Sequence, residues 1–85
     1  MNPSIVAELD TKGFIVYNAD NFFKGGRHNL TQIRIVRVRY KTSNELAFVT
    51  VDESNWESSY IAGIYDTRRL AIACGKKIAD NSHLT

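Results

Sequence analysis

Eighty-five residues, 44% hydrophobic and 24% charged, describe one ordinary globular domain, 1–85, near the lower size limit for folding without staples. The single cysteine, Cys74, excludes an internal disulfide, and a net charge of +2 excludes a uniformly basic nucleic-acid coat. With no basic segment leading a long apolar run, and no run near the ~20 residues of a membrane span, a cytoplasmic protein without a membrane partner is expected.

The first element has two readings. Asn2-Pro3 suits the cap and first position of a helix that ends before Gly13. The preferred reading is a hairpin of Ile5–Leu9 and Phe14–Tyr17 around a turn at Asp10–Gly13, because β-branched residues flank that turn on both sides. Asn18 to Asn29 follows as an irregular segment, with one helical turn over Ala19–Lys24 stopped by Gly25. Residues 1–30 thus form a hairpin and a loop. Within them, Phe22, Lys24 and Arg27 are candidate partner contacts: an aromatic anchor beside two cations in a glycine-rich loop. The loop from Lys24 to His28 has no phosphate-loop motif, so a surface loop is preferred to a phosphate cradle.

Residues 31–65 read as a β-meander. Ile33–Lys41 is the clearest strand, Thr42-Ser43-Asn44 a turn, Leu46–Val51 the next strand, and 58–65 the third. Apolar residues occupy both faces. Val36, Val38, Leu46 and Phe48 suit one, and Ile35, Val49, Val51 and Ile61 the other, depending on register. One face takes the helix; the second needs residues 1–30, a second copy of the chain as a homodimer, or a partner. Trp56 and Tyr60 are read as core or interface residues.

Residues 66–80 read as a helix capped by Asp66, with a stripe of Leu70, Ala71, Cys74, Gly75 and Ile78 facing the sheet. Cys74 is read as a small core residue, and Gly75 as the place where helix and sheet approach closely. Arg68 and Arg69 stand in the first turn, where positive charge opposes the helix dipole. The fold class is therefore α+β: a small antiparallel meander of three to five strands packed against one C-terminal helix.

The charge is patchy. Residues 31–45 carry +3, residues 46–66 carry −4 and residues 67–85 carry +3. No nucleophile–base arrangement or metal-ligand spacing is legible, so neither enzymatic activity nor a cofactor is expected. Arg68 and Arg69, with the acidic group Asp52, Glu53 and Glu57, are candidate contacts to a protein or nucleoprotein partner. That acidic group is also read as a solvated turn. Arg37, Arg39 and Lys41 share one strand face, a row suited to phosphates or to a solvated strand.

The joint Gly63-Ile64-Tyr65-Asp66-Thr67, followed by Ala71, Cys74 and Ile78, resembles two DNA-binding modules over residues 33–79. They are the plant ethylene-response-factor domain and the arm-site-binding domain of some phage integrases. The resemblance implies a three-stranded sheet with one helix, reading duplex DNA through arginines on the exposed sheet face. Arg37 and Arg39 match the first strand; the second offers Ala47, Val49 and Val51, and the third begins with Glu57. The preferred function is a non-enzymatic protein that occupies a macromolecular partner's surface. A phage or mobile-element inhibitor of a host defence nuclease complex, anti-CRISPR-like, is its concrete form. The alternative is a small sequence-specific DNA-binding protein using the basic strand.

Overall fold

Pro3–Thr11 forms a helix, α1, in the computed structural model, which describes residues 1–24 and 31–83. The hairpin expected here does not form. Asn2 accepts the Ser4 backbone N–H on its side-chain oxygen at 2.9 Å, and Pro3 occupies the opening turn, where its missing N–H costs nothing. Ile5 and Leu9, four residues apart, both turn into the core. A cap and an i,i+4 apolar pair therefore outweigh the β-branched preference of Ile5 and Val6. Gly13, at φ +92°, takes the left-handed conformation that releases the chain from the helix.

Four strands follow: β1 (Phe14–Lys24), β2 (Gln32–Tyr40), β3 (Leu46–Asp52) and β4 (Tyr60–Tyr65), and then helix α2 (Arg68–His83). They make one antiparallel sheet in the order β1-β2-β3-β4, so the fold is α+β, a meander with a C-terminal helix. The helical turn expected over Ala19–Lys24 is instead strand. Those residues pair with Gln32–Val36, and the ladder satisfies backbone groups that an isolated turn would leave open. The β2–β3 turn closes at Asn44, whose φ of 61° suits its short polar side chain.

The register sorts the apolar residues differently from the expected sets. Val36 pairs with Val49 and Val38 with Ala47, whereas Ile35 pairs with Thr50 and Arg37 with Phe48. One face thus carries Val36, Val38, Ala47, Val49 and Val51, and α1 seals it with Ile5 and Leu9. The cover comes from residues 1–30, one of the three options open from the sequence.

The opposite face carries Ile33, Ile35 and Phe48, and α2 lies on it through Ala71, Ile72 and Ile78. Buried Thr50 donates its hydroxyl to the Ala71 carbonyl at 2.7 Å, fixing the helix to the sheet. Gly63 gives Tyr65 room: a Cβ there would sit 2.5 Å from the Tyr65 hydroxyl oxygen. The helix starts two residues later than expected and runs to His83, and Thr67, not Asp66, caps it, accepting the Leu70 N–H at 3.3 Å. Gly75 is buried, but Leu70, read as part of the stripe, is 51% exposed.

Candidate binding face

The expected row of Arg37, Arg39 and Lys41 shortens to two. Lys41 lies beyond the end of β2 and binds the Asp10 carboxylate at 2.6 Å, tying the strand end to α1. Arg37 and Arg39 both project on the α2 side, since they pair with Phe48 and Leu46. Arg39 is half-buried; its guanidinium donates to the Asn44 carbonyl at 2.9 Å and lies 5.4 Å from the centre of the Tyr17 ring. That cation–π contact contributes roughly 0.5–1 kcal/mol at an exposed site. Arg37 is exposed, and its side chain makes no hydrogen bond or ion pair with any described residue.

Helix α2 covers only part of this face. It packs where Ile33, Ile35 and Thr50 lie, and its first turn stops short of the end formed by Ile15, Tyr17, Arg39 and Leu46. Ile15 is 45% exposed and Tyr17 57% exposed. Tyr17 reaches the face through a bulge, a register shift between Val16 and Asn18 that leaves it outside the ladder with β2. Between the helix and this open end is a hollow of about 340 Å³, lined by Asn18, Asp20, Ile35, Arg37, Leu46, Phe48 and Arg68. Arg68, expected as a partner contact, and Arg37, expected as a DNA contact, meet there. Arg69 is exposed but does not line the hollow.

The acidic group is not a solvated turn. Asp52 and Glu53 are buried, 8% and 4% exposed. Asp52 accepts the Ser54 N–H at 2.9 Å and the Tyr60 hydroxyl at 3.2 Å. Glu53 pairs with Arg34 and accepts the Asn2 backbone N–H at 3.4 Å. Both carboxylates are thereby committed inside the fold, as expected of buried charge. Glu57 alone is exposed, in the single 3₁₀ turn Trp56–Ser58. Phe22 and Lys24 lie in β1, and Arg27 falls outside the described residues.

Trp56 and Tyr60, read as core or interface, are both about half exposed. Burial of the Tyr60 hydroxyl end, and then the Asp52 carboxylate, push its phenol above the ordinary 10.0. Tyr65 shifts the same way, first through the neighbouring Cys74 thiol, which is half-buried, and then through burial.

Ile15, Tyr17, Asn18 and Asp20 are the face residues that sequence reasoning did not single out, and Leu46 and Phe48 were expected on the face of Val36 and Val38, which the register places opposite. The usable signal was the alternation that sets Ile15 and Tyr17 on one side of the expected strand 14–17, whereas Asn18 and Asp20 were hidden because that strand was ended at Tyr17 and continues through a bulge. No protein-family model, curated protein or solved structure matches the chain. No helix among the described residues is long and apolar enough to cross a membrane.

Proposed function

We propose that this chain is a non-enzymatic binding protein that occupies a macromolecular partner's surface with the open end of the α2-side sheet face. One observation carries the reading: exposed Ile15 and Tyr17 stand beside the half-buried Arg39 and beside Arg37, which has no ion pair among the described residues. Tyrosine and arginine are the residues that concentrate binding energy at interfaces, and an aliphatic neighbour supplies the area to be buried. Neither side chain belongs to the two buried clusters of the core. The patchy charge suits an inhibitor of a host defence nuclease complex, the partner to assay first.

Capture of partners from a lysate of the encoding organism tests this, using the wild type and the Ile15→Asp and Tyr17→Asp variants. The expected result is a protein partner retained after nuclease treatment and lost with either variant. Arg37 and Arg39 on one open face also suit duplex DNA. Capture that disappears on nuclease treatment and falls steeply with salt would replace the protein partner with that reading.

A further inference from the structure

Arg37 reaches the hollow from β2 and Arg68 from the first turn of α2, and neither side chain is neutralised by a hydrogen bond or ion pair with a described residue. The cations nearby are treated differently. Arg34 is paired with Glu53, Lys41 with Asp10, and Arg39 is held by the Asn44 carbonyl. Two arginines with no ion pair to a described residue thus face one cavity, and the one carboxylate in its lining is that of Asp20. Arg68 also opposes the α2 dipole from the helix's first turn.

The floor of the cavity is apolar, from Ile35, Leu46 and Phe48, which lowers the local dielectric and strengthens any ion pair formed above it. Guanidinium groups match a carboxylate through paired N–H donors. The β1 wall sets a limit. Asn18 offers a neutral amide donor, but the Asp20 carboxylate repels a second anion. This arrangement suits one negative charge on an apolar stem and disfavours the repeated phosphates of a nucleic-acid backbone. About 340 Å³ is at the small end of ligand-site volumes, enough for one or two side chains.

We infer that the hollow receives an acidic–aromatic segment of the protein partner, with its carboxylate between Arg37 and Arg68 and its ring on Phe48 and Leu46. This rests on the binding-protein reading above and names the chemistry its partner must carry.

The probe is the blocked peptide acetyl-Gly-Phe-Glu-Phe-Gly-amide, titrated into ¹⁵N-labelled full-length protein, with the Gln-for-Glu peptide and a short DNA duplex as parallel arms. Saturable shifts are expected at Arg37, Phe48 and Arg68 at millimolar peptide. The Gln peptide should bind about tenfold more weakly, as should Arg37→Ala and Arg68→Ala with the Glu peptide. Lys76→Ala should leave the affinity unchanged, and retained peak dispersion shows that the variants are folded. No shift at the hollow, or equal binding of both peptides, overturns the inference. Tighter binding of the duplex at the same residues overturns it in favour of DNA. If the peptide fails while Tyr17→Asp still abolishes partner capture, the hollow is refuted and the binding-face reading stands. If Tyr17→Asp also leaves capture intact, both fall.

Discussion

The side of the sheet under α1 and the side under α2 solve the same packing problem to different depths. Under α1, the side chains of Leu9, Val36, Val38, Val49 and Val51 are fully excluded from water, and each contributes roughly 1.5–3 kcal/mol. Under α2, the buried apolar cluster is Ile33, Ile35 and Ala71, and both sides carry partly covered residues around it, Phe48, Tyr65, Ile72 and Ile78 here and Met1, Val16, Ala19, Tyr40 and Ile61 under α1. The fully buried apolar side chains are thus more numerous on the side of the nine-residue helix, while the sixteen-residue helix leaves one end of its own face open. Helix length does not decide the difference; the residues beneath do. Arg37 and Arg39 stand where a further apolar pair would draw α2 down, and burying them unpaired would cost more than the contact returns. The deepest burial is concentrated on one side, and the other side leaves part of its face exposed.

The contrast breaks most directly at Leu9. Leu9→Ala should lose about 3–4 kcal/mol in urea unfolding, whereas Leu70→Ala, on the exposed side of α2, should stay within about 0.5 kcal/mol. Equal losses would mean that the two sides share the stability. Glu53→Ala comes next, at about 2–3 kcal/mol by the same measurement, because it leaves Arg34 without its buried partner. Arg34 retains some contact with water, which keeps the loss below that of a fully buried pair.

Thr50→Val sharpens the comparison from the other side. It preserves shape but removes the hydroxyl donor to Ala71, so about 1 kcal/mol should be lost and amide exchange in α2 should quicken before that in α1. The smallest effect is alkaline. Tyr60 and Tyr65 both lie on the α2 side, with phenols raised above 10.0. Folding therefore favours their protonated forms. That contribution is present below pH 10 and is lost as pH rises through the raised values. Tyrosinate absorbance should show a late-titrating component that shrinks in both Tyr60→Phe and Tyr65→Phe.

Much of the fold was legible because it is written in short-range pattern. Alternation over Ile33–Tyr40 marked β2, the turn at Thr42–Asn44 separated it from β3, and the spacing of Ala71, Gly75 and Ile78 marked α2. The N-terminal element was misjudged because Ile5 and Val6 favour a strand locally, and the benefit of burying Leu9 appears only once a sheet face needs covering. The candidate site was less legible still. Arg37 and Arg68 were each noticed, but for different roles, and only the crossing of α2 over β2 brings them to one cavity. Glu53 looked solvated because its partner, Arg34, is nineteen residues away.

The bulge that displays Tyr17 has a second consequence, for self-association. β1 is an edge strand of eleven residues, long enough to template another chain if its amides ran in one flat row. Its two register shifts, after Val16 and after Asn21, break that row into short, twisted lengths. The irregularity that exposes the Tyr17 ring thus also hinders the sheet from extending itself strand by strand into an aggregate.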